Sequence, residues 1–255
     1  MTPQERKLAA ERALPMVDLT DLTDNCNHEA IEALCKRAQT EFGPVGAICI
    51  WPRFVAHAHK LLNRSGIPIA TVVNFPEGNQ SVEMTLIETQ TAIGDGADEI
   101  DLVIPYQTLI AGEDEKVETM LKAVRETSAK QALLKVIIEA GELKDEGLVR
   151  KASDMAISAG ADFIKTSTGK VPVNATPAFA EIMIQAIADS GKDVGFKPAG
   201  GIKSTEDTAK YLAIADRIMG TDWATGETFR FGASSVLDDL LSALRGGDAV
   251  QGIGY

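Results

Sequence analysis

Cysteine, histidine and long apolar runs are all scarce in this chain. Three cysteines in 255 residues, Cys26, Cys35 and Cys49, are too few for a disulfide framework, and their spacing matches no metal-ligand pattern. A reducing cytoplasm is the location this composition predicts. The three histidines offer no metal site either: His57 and His59 are two apart on an expected helix and cannot share a face, and His28 opens another helix. No apolar run approaches the roughly 18 residues of a membrane span, and the charged segment Met1–Pro15 lacks the apolar core of a signal peptide. Basic residues are outnumbered, 25 Lys and Arg against 37 Asp and Glu, for a formal net charge of −12. That balance argues against nucleic acid as a partner, and any anion site must be a local positive focus in a negative body. Neither a phosphate-binding P-loop nor a dinucleotide fingerprint occurs, and no Pro/Gly/Ser-rich linker divides the chain.

What is present is a rhythm. Eight short apolar runs occur: Met16–Thr20, Ala47–Pro52, Ile69–Pro76, Glu99–Pro105, Leu133–Glu139, Phe163–Gly169, Val194–Gly200 and Arg230–Ser235. Each leads into a longer amphipathic stretch, and the starts fall about 30 residues apart, the length of a strand plus a crossover helix. Continuous apolar runs are the signature of strands buried on both faces of a parallel sheet. Helix punctuation fits between them. Thr176-Pro177 reads as an N-cap followed by proline, Ser204 with Asp207 as a capping box, and Gly43, Gly66, Gly96, Gly160 and Gly191 as helix ends. The expectation is one domain over residues 1–255, a single (β/α)8 barrel of the α/β class. Residues 1–15 form an extra N-terminal helix across the barrel bottom.

An internal repeat locates chemistry. Gly96-Ala97-Asp98-Glu99-Ile100-Asp101 and Gly160-Ala161-Asp162-Phe163-Ile164-Lys165 are the same passage from helix end to strand. Alternate strands of a barrel fill the same layers of its lumen, so the alignment places a carboxylate, Asp101, opposite an ammonium, Lys165. Two more lysines sit in apolar strands, Lys135 in LLKVII and Lys197 in GFKPAG. One such lysine is readable as a satisfied ion pair, with Asp101 and Glu139 as partners. Three on neighbouring strands point to imine chemistry.

An amine attacks a carbonyl only as the free base, and at an ordinary pKa of about 10.4 very little is free at neutral pH. Burial and a second ammonium both favour the neutral form. Lys165 is the candidate nucleophile and Lys197 its tuning neighbour, although spacing alone leaves the reverse assignment open. Asp101 is the candidate proton carrier, directly or through a water held by Thr166 or Thr168. Cys49, on strand two, is placed to face the lumen, although a buried cysteine is more often a small hydrophobe.

The loops after strands seven and eight suggest where an anion binds. Gly200-Gly201 precede a helix opening at Ser204, and Ser234-Ser235 open the final helix. Glycine pairs allow close backbone approach, helix N-termini attract anions, and these two loops commonly hold phosphate in barrels. Gly169-Lys170 after strand six adds backbone and charge.

The runs AICIWPRF, NFPEGN, LLKVIIEAGEL, GADFIKTSTGK, NATP, VGFKPAGGI and RFGASS resemble the deoxyribose-phosphate aldolases, lysine-dependent aldolases of the barrel class. The resemblance extends from about Val17 to Ser235. It implies reversible cleavage of 2-deoxy-D-ribose 5-phosphate to acetaldehyde and D-glyceraldehyde 3-phosphate, with the imine on Lys165, tuning by Lys197 and proton relay by Asp101. It implies a phosphate pocket from Gly169-Lys170, Gly200-Gly201 and Ser234-Ser235. It implies no metal and no organic cofactor, because the enzyme's own lysine is the electron sink. The expected partners are phosphorylated sugars and aldehydes, with no membrane contact; a homodimer is compatible with the sequence, which does not give the oligomeric state. A flexible C-terminal tail over residues 247–255, ending in Tyr255, belongs to the same pattern, although the tail sequence before Tyr255 departs from it. Two other readings stand beside this one: a lysine-dependent barrel aldolase for a different phosphorylated sugar, and a non-catalytic sugar-phosphate-binding barrel.

Overall fold

All eight apolar runs become strands: β1 Val17–Asp21, β2 Ala47–Ile50, β3 Ile69–Val73, β4 Glu99–Val103, β5 Leu133–Ile137, β6 Phe163–Lys165, β7 Gly195–Lys197 and β8 Phe231–Ala233. The computed structural model describes residues 1–129 and 131–250. Every neighbouring pair is parallel, and β8 returns to β1 with Val17 opposite Phe231. Two bridges, Phe196 to Phe229 and Ala199 to Gly232, close the seam between β7 and β8. The amide of Gly232 donates to the Pro198 carbonyl there at 2.9 Å. The sheet is thus a closed parallel barrel, as the uniform spacing predicts.

Helices α1 Pro3–Ala13, α2 His28–Arg37, α3 Val55–Leu61, α4 Val82–Gly94, α5 Tyr106–Ile110, α6 Asp114–Ser128, α7 Ala140–Leu143, α8 Glu146–Ser158, α9 Pro177–Ser190, α10 Thr205–Met219 and α11 Val236–Leu244 surround it. The period-2 geometry of a strand sorts side chains between two environments. On β4, Ile100 and Leu102 join the apolar layer under the helices, whereas Glu99 and Asp101 enter the lumen network described below. Each large aliphatic side chain buried in the apolar layer contributes about 1.5–3 kcal/mol.

The repeated Gly-Ala-Asp passages have one mechanical task. Gly96 and Gly160 both take left-handed backbone at a helix end. Asp98 then accepts from the amide of Ile69 at 2.8 Å, and Asp162 from that of Leu134 at 2.7 Å. Each aspartate pins the start of one strand to the start of the strand before it, which fixes register.

Four expectations need correction. Gly43 ends no helix; it belongs to a short antiparallel hairpin, Gln39–Thr40 against Gly43–Pro44. Helix α1 packs chiefly against α10 and α11 on the outer wall, rather than across the bottom. Its Arg6 pairs with Asp239 of α11 at 2.5 Å. The polar end of the Phe163–Gly169 run is loop, because the strand stops at Lys165, whereas Ser234-Ser235 follow β8 and open the final helix as expected. Ser204 does cap α10, accepting from the Asp207 amide at 3.1 Å, but the Asp207 carboxylate accepts from Lys203, so no reciprocal box forms.

Of the expected tail, Gly247 accepts from Arg6 at 2.7 Å and the Val250 amide donates to Asp239 at 2.7 Å. Tyr255 lies outside the described residues.

Candidate active site

The barrel lumen carries an ion cluster. Asp101 is fully buried on β4. Its Oδ2 accepts from Lys165 Nζ at 2.7 Å and from Lys197 Nζ at 2.8 Å, while its Oδ1 accepts from Lys135 Nζ at 3.2 Å. Lys197 is shared with Asp18 of β1, at 2.5 Å. The Arg230 guanidinium donates to Asp18 at 2.7 Å and to Glu99 at 3.1 Å, and Glu99 also pairs with Lys135.

Three carboxylates therefore face four cations. With Lys135, Lys197 and Arg230 charged, the three anions are matched, and the cluster is neutral when Lys165 is the free amine. At Asp18, Asp101, Lys135, Lys197 and Arg230 burial opposes charge, yet the attraction of the neighbouring charges prevails. Burial opposes the Lys197 ammonium, but Asp101 and Asp18 together hold its pKa above the usual lysine value. Burial would likewise raise Asp101, and Lys135, Lys165 and Lys197 instead hold it well below the ordinary carboxylate range. Asp18 is lowered against its burial, first by Lys197 and then by Arg230.

Above the cluster a polar cavity opens at the carboxyl ends of the strands. Lys165 reaches it, and of the four lumen cations only Lys165 is among its lining residues. Thr168, Gly169, Gly200, Gly201, Ser234 and Ser235 line the same cavity, so the loop glycines and the serine pair singled out in the sequence meet at one place, while Ser204 is not among the lining residues. Gly200 and Gly201 both have φ near +80°, a conformation that disfavours other residues. A Cβ at Gly200 would also lie 2.6 Å from that of Asn174. Helices α10 and α11 begin a few residues beyond this rim, which sets two positive helix ends towards the cavity.

Other candidates sit elsewhere. Thr166 does not line the cavity; its hydroxyl accepts from the Ala199 amide at 3.0 Å, tying the β6 and β7 loops together. Lys170 donates to the Leu22 carbonyl at 2.7 Å, beside the cavity wall rather than within it. Cys49 packs in a small apolar cluster with Leu22, Ala70 and Val72, and burial pushes its thiol pKa up. Asp101 and Lys197 lie beneath the floor. Among the described residues Glu139 pairs with no lysine; its carboxylate accepts from the Thr168 amide instead.

Sequence reasoning missed Asp18, Glu99 and Arg230 in the network, and Thr20, Leu22, Asn174, Ile202, Lys203 and Gly232 on the wall. The signal for the first three was available. Each is a charge in an apolar strand run, the criterion that selected the lysines, and Glu99 shares a strand face with Asp101. No group of His, Cys, Asp or Glu suited to a metal ion occurs among the described residues, and no helix there is long and apolar enough to cross a membrane.

An amine presented by a buried carboxylate at the floor of a polar cavity, in a parallel barrel, is the equipment of a lysine-dependent barrel lyase. Known proteins narrow the class. The family model of DeoC/LacD family aldolases matches residues 12–241. The chain is 57% identical over 252 residues to the deoxyribose-phosphate aldolase of Agrobacterium fabrum (strain C58 / ATCC 33970), covering 98% of this chain and 97% of that one. Among solved structures, the tetrameric deoxyribose phosphate aldolase of Aeropyrum pernix superposes with a TM-score of 0.75 at 26% identity, over 93% of this chain and 91% of its own. A Toxoplasma gondii ME49 structure shares the fold, with a TM-score of 0.88 at 24% identity over 97% and 98% of the two chains. This chain belongs to the DeoC/LacD aldolase family, and it is a carbon–carbon lyase.

Proposed function

We propose that the enzyme reversibly cleaves 2-deoxy-D-ribose 5-phosphate to acetaldehyde and D-glyceraldehyde 3-phosphate through an imine on Lys165. The observation that carries this reading is that Lys165, alone among the four lumen cations, lines the cavity rimmed by Gly200-Gly201 and Ser234-Ser235. The Agrobacterium relative's name supplies the substrate.

In the cleavage direction the free amine of Lys165 adds to the C1 aldehyde and water leaves, giving the imine. Loss of the C3 hydroxyl proton breaks the C2–C3 bond, its electron pair moves into the imine as an enamine, and the phosphorylated triose departs. Protonation of the enamine carbon and hydrolysis release acetaldehyde and regenerate the amine. Asp101, within 2.7 Å of Lys165 Nζ, is the group we assign to moving protons on and off that nitrogen. Lys197, held charged by Asp18, keeps Asp101 ionised and occupied so that Lys165 can do without its own proton. Thr168 on the cavity wall is assigned to the phosphate end of the substrate. The rim amides and hydroxyls, with Lys170 and Lys203 nearby, are assigned to the phosphate.

Incubation of the purified enzyme with deoxyribose 5-phosphate tests this, with acetaldehyde and triose phosphate both measured. Equimolar release is expected. Release only with a ketose phosphate would move the protein to another lysine-dependent aldolase, and no release from any sugar phosphate would make it a binding barrel.

We also infer a cytoplasmic homodimer. Helix α4 leaves Met84 and Ile87 exposed three residues apart on one face, which supports self-association, and a monomer by sedimentation would overturn it.

A further inference from the structure

The backbone between β5 and α7 does something that neither imine chemistry nor packing uses. Glu139 is completely buried and takes the left-handed conformation, φ 53° and ψ 55°. A non-glycine residue with that backbone is uncommon and invites a functional explanation. The conformation turns the segment Ile138–Ala140 along the end of β6. The amide of Ile138 donates to the Lys165 carbonyl at 3.0 Å, and the amide of Ala140 donates to the Thr166 carbonyl at 2.9 Å. Between them the Glu139 side chain reaches further, and both carboxylate oxygens lie within hydrogen-bonding distance of the Thr168 amide, 3.2 and 3.3 Å. Thr168 in turn accepts from the Lys170 amide through its hydroxyl at 3.0 Å, across Gly169.

We propose that Glu139 is a positioning residue for the phosphate end of the substrate: its buried carboxylate anchors the Thr168–Gly169 turn that forms one wall of the cavity. This rests on the aldolase reading above. Lys165 and Thr166 are held by backbone bonds that survive any change of the Glu139 side chain. Thr168 is held by the side chain itself. Removing the carboxylate's reach therefore slackens the wall that meets the phosphate and leaves the amine in place. Burial raises the Glu139 pKa, and the Thr168 hydrogen bond, followed by the charge of Lys165, opposes that rise.

The test compares Glu139→Gln with Glu139→Asn. Both put a neutral amide in place of the carboxylate, and asparagine is among the residues that tolerate left-handed backbone best, so the two differ in reach by one methylene. Glutamine should stay within about threefold of the parent enzyme. Asparagine should raise KM for deoxyribose 5-phosphate roughly tenfold, the loss expected from one unpaired amide, with kcat and unphosphorylated deoxyribose changed less than about threefold. Equal behaviour of the two variants, or equal loss on both sugars, overturns the proposal. An independent check needs no variant: hydrogen exchange of the Thr168 amide in the parent enzyme should be strongly protected, and exchange at the rate of an open loop overturns it as well. Failure of the aldolase reading would show differently, as no turnover of deoxyribose 5-phosphate by the parent enzyme.

Discussion

Replacing Lys197 with leucine removes one cation from a cluster whose three carboxylates it helps to match. Lys197 Nζ lies 2.5 Å from Asp18 and 2.8 Å from Asp101, and all three groups are sealed from solvent. Deleting one partner of a buried pair typically costs about 3–5 kcal/mol, because the remaining charge is left uncompensated. Here a substitute is at hand: Lys165, already 2.7 Å from Asp101, can supply the missing positive charge by keeping its proton. Most of the cost then falls on the free amine that must attack. At 1.36 kcal/mol per factor of ten, the expected loss in kcat/KM near neutral pH is about 10²- to 10³-fold. The loss should shrink as pH rises, since alkali removes the proton that the variant retains. The assay is kcat/KM for deoxyribose 5-phosphate between about pH 6 and 10, with near-ultraviolet circular dichroism to confirm packing. A loss of the same size at every pH, in a folded protein, would refute the reasoning and leave Lys197 as a substrate contact.

Two further outcomes follow from the same geometry. Changing Ser235, on the cavity wall, to aspartate sets a like charge beside a phosphate dianion while suiting the start of α11. It should weaken deoxyribose 5-phosphate at least tenfold more than deoxyribose, while acetaldehyde still forms an adduct with Lys165; equal losses would remove the phosphate from this rim. Thermal stability should be nearly flat from about pH 7 to 5 and fall only below about pH 4. Asp18 and Asp101 have lowered folded-state pKa values, so their stabilisation is complete above the ordinary carboxylate range and is lost as pH falls through the folded values. Glu139, with a raised pKa, works in the opposite direction and cannot produce a loss between pH 7 and 5. A Tm drop of many degrees in that interval, by scanning fluorimetry, would contradict this.

The barrel was legible because its strands are buried on both faces and separated by helices of regular length, so hydrophobic pattern and topology coincide. The lumen was only partly legible. Lysines stood out in LLKVII, FIKTST and GFKPAG because a buried ammonium is costly. The same logic applies to Asp18 in MVDLT, but a carboxylate in the first strand has no local partner in sequence: its nearest cations, Lys197 and Arg230, lie on β7 and just before β8. Thr166 and Thr168 are alike in sequence, two hydroxyls two residues apart after Lys165. One is a tie between loops and the other a cavity wall, and the difference is set by where β6 stops, at Lys165. Strand ends are decided by tertiary hydrogen bonds, such as those from Ile138 and Ala140, that no local pattern reports. Glu139 shows the same limit, since its left-handed backbone and its bond to Thr168 come from the packing of two loops.

The central claim is that Lys165 is the amine that forms the imine, and trapping addresses it directly. Acetaldehyde and borohydride are added to the enzyme, which is then digested and mapped by mass spectrometry. An ethyl group on Lys165, and on neither Lys135 nor Lys197, is the result predicted. A label on Lys197 or Lys135 instead, or no labelled lysine in an enzyme that still cleaves deoxyribose 5-phosphate, would contradict it.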